Sequence, residues 1–183
     1  MHFDPLRASD RQRVSDILAA TEAFAGDEIA VALELFDEVH EVAAPDIGRE
    51  GPSFATSANA GADYEFVGAR DDEGRLLGYA CFGPTPSTDG TYDLYWLAVH
   101  PDAQGRGAGR QLVRWVETDL ARRGARLLVV ETSSRASYTR TREFYTRAGY
   151  AEAARVRDFY APADDRIIFT TRLAAREVGA ATP

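Results

Sequence analysis

The sequence contains no lysine; all 21 of its basic residues are arginine. That absence excludes a Schiff-base lysine and a P-loop, whose phosphate-binding lysine would be missing. Cysteine is almost absent as well. The one cysteine, Cys81, has no second thiol to pair with, and it lies in the apolar run 76–82, where a small buried hydrophobe is expected. Histidine occurs three times, and neither His2 nor His40 has partners at metal-ligand spacing, so no metal is expected. The opening residues Met1-His2-Phe3-Asp4-Pro5 lack a basic segment and an apolar segment, so no signal peptide is expected. No apolar run approaches the ~18 residues that span a bilayer. Positive charge is also short: 21 basic against 29 acidic residues leave a net charge of −8. An electrostatic grip on nucleic acid or on an anionic membrane is therefore not expected. A cytoplasmic protein is therefore expected.

What is present suits a globular chain. A length of 183 residues points to one domain, and that length buries a core without disulfides or metal clips. The expected division is a single domain over 1–173 and a C-terminal tail over 174–183. Reading along the chain, 3–7 is a short strand and Ser9 an N-cap for a helix through Thr21. Val14, Ile17 and Leu18 in that helix have helical spacing. A break near Phe24 precedes a second helix over about 27–42, with Ile29, Leu33, Phe36 and Val39 or His40 on one face. The stretch 44–62 reads as a loop. Strands follow over 64–70, 76–82 and 92–99. A glycine-rich segment then opens a helix to about Arg123, with Leu112, Val113, Val116 and Leu120 facing inward. The run Leu127-Leu128-Val129-Val130 lies in a strand buried on both faces. A helix over 138–148 stops at Gly149, and two strands over 151–157 and 166–173 enclose a loop over 158–165. The order β-αα-βββ-α-β-α-ββ is that of a mixed α/β domain.

The chemistry concentrates in Leu97-Ala98-Val99-His100-Pro101-Asp102-Ala103-Gln104-Gly105-Arg106-Gly107-Ala108-Gly109-Arg110. A buried strand leads into glycines, and the glycines open a helix. Glycine allows positive φ and close backbone approach. A helix start directs unpaired N–H groups and the positive dipole end outward, which makes an anion site. A phosphate or pyrophosphate is therefore expected at 105–110, with Arg106 and Arg110 near enough in sequence to add charge. A dinucleotide site of the Rossmann type fits poorly, although Glu131 ends the next strand where a ribose-binding acid would stand. Arg110 occupies the place of the third glycine, and five residues separate Val99 from Gly105, whereas that fingerprint follows its strand directly.

Gln104-x-x-Gly107-x-Gly109, between a strand and a helix, resembles the pyrophosphate loop of the GNAT superfamily of acyl-CoA-dependent N-acetyltransferases. Phe144-Tyr145-Thr146-Arg147-Ala148-Gly149-Tyr150 is similar to that family's later Phe-Tyr-x-x-x-Gly-aromatic segment. The resemblance covers nearly the whole chain. It implies a central mixed, mostly antiparallel sheet, splayed between the fourth and fifth strands and flanked by helices, and it implies acetyl-CoA as cofactor. It places the pantetheine arm beside Leu97, Ala98 and Val99. Backbone N–H groups of Gly105, Arg106, Gly107, Ala108, Gly109 and Arg110, after Gln104, would receive the pyrophosphate. The acceptor and thioester would meet beside Glu131 to Ser134, where Ser134 either bonds the cofactor or begins a turn. Many relatives carry a cofactor-contacting Asn where this chain has Tyr138.

The same resemblance makes Tyr145 the general acid: a phenol with a pKa near 10 can protonate the departing thiolate. The alternative is an aromatic core residue, since Phe144 and Tyr145 are adjacent. Asp93 and Glu131 are the candidate bases, and an ordered water is the alternative to both. Simple alternation puts Asp93, Tyr95 and Leu97 on one face. Arg140, Arg142 and Arg147 read as a solvated helix face. The acceptor pocket is expected between the helical break at 21–28 and the segment 158–165, both acidic and aromatic. A small cationic or amino-acid-like primary amine suits that lining. The function implied is direct acetyl transfer to such an amine, with a homodimer left open. A protein amine as acceptor, or a non-catalytic acyl-CoA sensor, are the alternatives.

Overall fold

Seven segments of the described chain form one sheet: β1 (His2–Pro5), β2 (Glu65–Arg70), β3 (Leu76–Pro84), β4 (Thr91–Val99), β5 (Leu127–Ser133), β6 (Ala151–Ala161) and β7 (Asp164–Arg172). The computed structural model describes residues 1–24, 26–40 and 64–173; the expected loop over 44–62 and tail over 174–183 lie outside the described residues. The strand order is β1-β2-β3-β4-β5-β7-β6. All neighbours run antiparallel except β4 and β5, which are parallel. Four helices, α1 (Arg11–Ala20), α2 (Gly26–Val39), α3 (Ala108–Arg122) and α4 (Thr139–Ala148), cover the sheet.

The two faces of the sheet hold separate cores. On one, Leu112, Val113, Val116 and Leu120 of α3 and Tyr145 of α4 pack on Val67, Phe82, Leu128 and Val130. On the other, Val14, Ile17 and Leu18 of α1 and Ala32 and Phe36 of α2 pack on Phe66, Tyr79 and Cys81. The strand β3 is buried along nearly its whole length because both layers close over it. Arg11 forks onto Asp37 through Nε–Oδ1 at 2.6 Å and Nη2–Oδ2 at 2.7 Å, which fixes α1 against α2.

Several sequence expectations change in detail. A 3-10 turn, Ala8–Asp10, precedes α1, so Ser9 is inside that turn rather than an N-cap. Val39 is exposed, and the buried stripe of α2 runs through Ala32 and Phe36, with His40 stacked on Phe36 at 4.0 Å. The expected loop over 158–165 is mostly strand, because β6 continues to Ala161 and β7 begins at Asp164. Carboxylates make this possible: Asp158 accepts from the Ala163 N–H at 2.6 Å, and Asp165 accepts from the Asp158 N–H at 3.1 Å.

Two irregularities in the middle of the sheet create the site. First, Leu94 pairs with Phe82 and Trp96 with Cys81, which leaves Tyr95 as an extra residue in β4. Such a bulge shifts the alternation by one place. Leu94 and Leu97 therefore pack on the α3–α4 side, while Trp96 and Ala98 pack on the α1–α2 side. The single face expected for Asp93, Tyr95 and Leu97 is lost for that reason. Second, the β4–β5 ladder runs only from Thr91↔Leu127 to Leu94↔Val130. Beyond it β4 stays with β3, and β5 stays with β7. The two parallel strands part.

Candidate active site

The parting of β4 and β5 opens a cavity of ≈ 650 Å³. Leu97, Ala98 and Val99 of β4 form one wall, and Glu131, Thr132 and Ser133 of β5 form the other. Past Leu94 the side of β4 that faces β5 has no strand partner, so its backbone groups, apart from the Val99 carbonyl that Gln104 holds, are available to a ligand.

At the end of β4 the chain makes a 3-10 turn, Pro101–Ala103, and enters the glycine segment. Gln104 donates from Nε2 to the Val99 carbonyl at 2.9 Å and pins the loop to the strand end. Gly105 and Gly107 have φ of +70° and +85°, where a side chain would be strained. Gly107 caps α3, and no side chain bonds the first N–H groups of the helix, so those of Ala108, Gly109 and Arg110 point outward. Gly109 serves packing instead: a Cβ there would touch Phe144 and Val99 at 3.6 Å. Arg106 and Arg110 are exposed beside this helix start.

Tyr145 lines the cavity although it is 3% exposed. Phe144, Tyr150 and Phe169 surround its ring at centroid distances of 5.1, 5.4 and 6.0 Å. Burial pushes its phenol well above the ordinary value. Tyr145 packs in the core, as one of its two readings expects, and also reaches the cavity wall. Tyr138, just before α4, also lines the cavity and donates to Glu28 of α2 at 3.1 Å. Burial first, and then the Glu28 charge, push that phenol up to about 12.

The two candidate bases are separated. Glu131 is on the cavity wall, ion-paired with Arg166, whose guanidinium lies 4.8 Å over the Phe159 ring. Asp93 is in the paired part of β4, opposite Val129, and accepts from the Thr85 hydroxyl at 2.6 Å; it is not on the cavity wall. Ser134 is sewn to β7 instead of facing the cavity, with its N–H on the Asp165 carbonyl at 2.9 Å and its hydroxyl accepting from the Asp165 N–H at 2.8 Å. The neighbouring Ser133 takes the wall position and donates to buried Asp164 at 2.5 Å.

Sequence reasoning missed two contributors. Arg142 is no solvated residue: it donates to the carbonyls of Ser133 and Arg135 at 2.7 and 2.9 Å and holds the turn after β5. Trp96 stands edge-on to Phe24 at 5.3 Å, which the bulge at Tyr95 makes possible. Thr132, within the stretch 131–134 expected beside the cleft, is buried on the cavity wall. On the other side of the cavity, Phe24, Glu28 and Tyr160 come together from the two segments expected to border an acceptor. No cluster of metal-ligating side chains occurs among the described residues, and no helix among them is long and apolar enough to cross a membrane.

The splayed sheet, the glycine-capped helix start and the tyrosine between them define a class of protein that the comparisons identify. The acetyltransferase (GNAT) family model matches residues 32–150, and the chain belongs to that family of acetyltransferases. It is 38% identical to a protein assigned as a GNAT-family acetyltransferase from Desulfovibrio desulfuricans, with a TM-score of 0.79 over 94% of this chain and 99% of that one. It is 36% identical over 98 residues to the N-alpha-acetyltransferase RimI of Mycobacterium tuberculosis, covering 52% of this chain and 57% of that protein. The chain spans about half the length of the curated relatives it matches. An aminoglycoside 6′-N-acetyltransferase complexed with coenzyme A shares the fold, at 16% identity and a TM-score of 0.66 over 96% of this chain and 99% of that one. The residues here fit such a cofactor. The edge of β4 past Leu94 has no strand partner, the N–H groups that open α3 after Gly107 have no side-chain cap, and Thr132, whose buried hydroxyl has no protein partner among the described residues, belongs to the cavity wall.

Proposed function

We propose that this chain transfers an acetyl group from acetyl-CoA directly to the primary amine of a small-molecule or amino-acid-like acceptor. The observation that carries this reading is the position of Tyr145 in the wall of the cleft that β4 and β5 open. Acetyl-CoA, when bound, supplies the activated thioester. The backbone N–H groups of residues 105–110 take its pyrophosphate, and the free edge of Leu97, Ala98 and Val99 takes its amide-bearing arm. Tyr145 gives its phenol proton to the sulfur as the C–N bond forms and the C–S bond breaks.

Glu131, on the wall, is better placed than Asp93 to take the proton that the acceptor ammonium must lose. Phe24, Glu28 and Tyr160 offer aromatic and anionic surface to a cation. A covalent acyl-enzyme through cysteine is disfavoured, because Cys81 is fully buried in the α1–α2 core and burial pushes its thiol up. The reaction would take place in the cytoplasm, on a domain extending over 1–173. The 36% identity to an Nα-acetyltransferase favours a second reading, in which the amine is a polypeptide N-terminus.

The test is mass-detected acetylation from acetyl-CoA across a panel of polyamines, amino acids, aminoglycosides and peptides with free N-termini. Acetylation of a small amine supports the first reading, and acetylation of peptides alone supports the second. Tight acetyl-CoA binding with no product from any amine would contradict both and leave a sensor.

A further inference from the structure

Four buried side-chain polar atoms among the described residues have no hydrogen-bond partner, on Tyr79, Asp119, Thr132 and Arg166. Only the one on Thr132 belongs to a residue that lines the cavity. We propose that the Thr132 hydroxyl is a ligand for the thioester end of the cofactor arm, a residue role that rests on the acetyl-CoA reading above.

Its position supports this. Alternation along β5 puts Thr132 on the face of Leu128 and Val130, and those two pack in one core with Tyr145. Val130 makes the last rung with Leu94. Thr132 is therefore the first residue on that face beyond the point where the strands part. Across the sheet it pairs with Ile167, which is fully buried.

Chemistry supports it too. Thr132 is 5% exposed, in surroundings where a valine of the same shape would pack equally well. A buried hydroxyl without a partner loses its hydration and gains nothing in exchange. A hydroxyl offers one donor and two acceptor positions, and the arm carries amide and thioester groups that match them. Here the hydroxyl acts as a hydrogen-bonding group throughout and keeps its proton. Tyr145 remains the acid.

The experiment uses the full chain as wild type, Thr132→Val and Thr132→Ser. Calorimetry gives the Kd for acetyl-CoA and for adenosine 3′,5′-bisphosphate, which lacks the arm, and thermal melting gives the Tm of each free protein. Thr132→Val is expected to weaken acetyl-CoA binding about 3- to 10-fold, the worth of one hydrogen bond. The bisphosphate affinity should stay unchanged and the free-protein Tm unchanged or higher, because an unmet buried hydroxyl has been removed. Thr132→Ser should restore acetyl-CoA binding. An unchanged acetyl-CoA Kd in Thr132→Val overturns the proposal, as does an equal loss for both ligands. A lower free-protein Tm in Thr132→Val reveals an internal partner and overturns it as well. Wild type that fails to bind acetyl-CoA overturns the underlying reading itself, which separates the two failures.

Discussion

Tyr138, in the turn before α4, donates its phenol hydrogen to Glu28 of α2 at 3.1 Å, across 110 positions of sequence and over the cavity. The bond joins the wall assigned to the cofactor with the wall assigned to the acceptor. Arg135 reinforces it from behind, with its guanidinium 5.5 Å from the Tyr138 ring centroid. Tyr138→Phe keeps the ring and loses the bond. Urea unfolding should show a loss of about 1 kcal/mol, and the KM for the amine should rise more than the KM for acetyl-CoA. A variant with wild-type stability and both KM values intact would show that the two walls are not coupled through this pair.

The glycines of the loop differ in what they tolerate. Gly107 is left-handed at φ +85° and caps α3, so Gly107→Val forces a branched side chain into a conformation costing about 1–2 kcal/mol and reshapes the turn proposed to bind phosphate. Gly109 has no positive φ, and an added Cβ there meets Phe144 and Val99 at ordinary contact distance, 3.6 Å. Gly107→Val should fold and lose acetyl-CoA binding, whereas Gly109→Ala should fold and keep it. Calorimetric titration of both variants checks the contrast. Intact binding in folded Gly107→Val would remove the loop from the site.

Three phenols, on Tyr79, Tyr145 and Tyr150, are pushed up mainly by burial. In the unfolded chain each would lose its proton near the ordinary value of about 10. Below that pH both states keep the proton and there is no effect. Above it the unfolded state gains by ionising while the folded state cannot, so stability falls as pH rises. Thermal melting from pH 8 to 11 should show a Tm that begins to fall at about pH 8.5, where the Cys81 thiol ionises in the unfolded chain, and falls most steeply beyond about pH 10. Replacing Tyr79, which lies outside the cavity, with Phe should soften the decline. A decline of equal steepness in that variant would contradict burial as its cause.

Asp164 is 5% exposed, accepts from Ser133 at 2.5 Å and pairs with Arg135 at 3.1 Å. That cluster fixes the end of β5 where it borders the cavity. Asp164→Ala leaves the Ser133 hydroxyl without its acceptor, and the expected loss is about 1–3 kcal/mol in denaturant unfolding. A change below about 0.5 kcal/mol, the range of an inert surface substitution, would show that the cluster holds nothing in place.

Much of this architecture was legible in the residues themselves. The aromatic and β-branched run through Trp96, the buried stretch through Val130 and the glycines at 105, 107 and 109 each carry a local physical signature, and each became the expected element. Phe24, Glu28 and Tyr160, from the two segments expected to border an acceptor, meet at the cavity. What escaped depends on partners far away in sequence. The bulge at Tyr95 exists only as a register shift against β3, and strand alternation read locally puts Asp93 on the wrong face. Arg142 differs from expectation because the Ser133 carbonyl claims it, and the bonds that tie Ser134 to Asp165 are likewise distant in sequence. The segment around Asp158 looked like a loop by composition, and side-chain carboxylates that satisfy backbone N–H groups let it continue as strand.

The central claim is that Tyr145 protonates the leaving thiolate, and thiol release from acetyl-CoA under saturating amine measures it directly. Tyr145→Phe keeps the ring packed between Phe144, Tyr150 and Phe169 and removes only the hydroxyl. The predicted result is a fall in kcat of about 100-fold or more, the worth of a general acid, with acetyl-CoA binding preserved. A Phe variant that releases thiol at the wild-type rate would contradict the account.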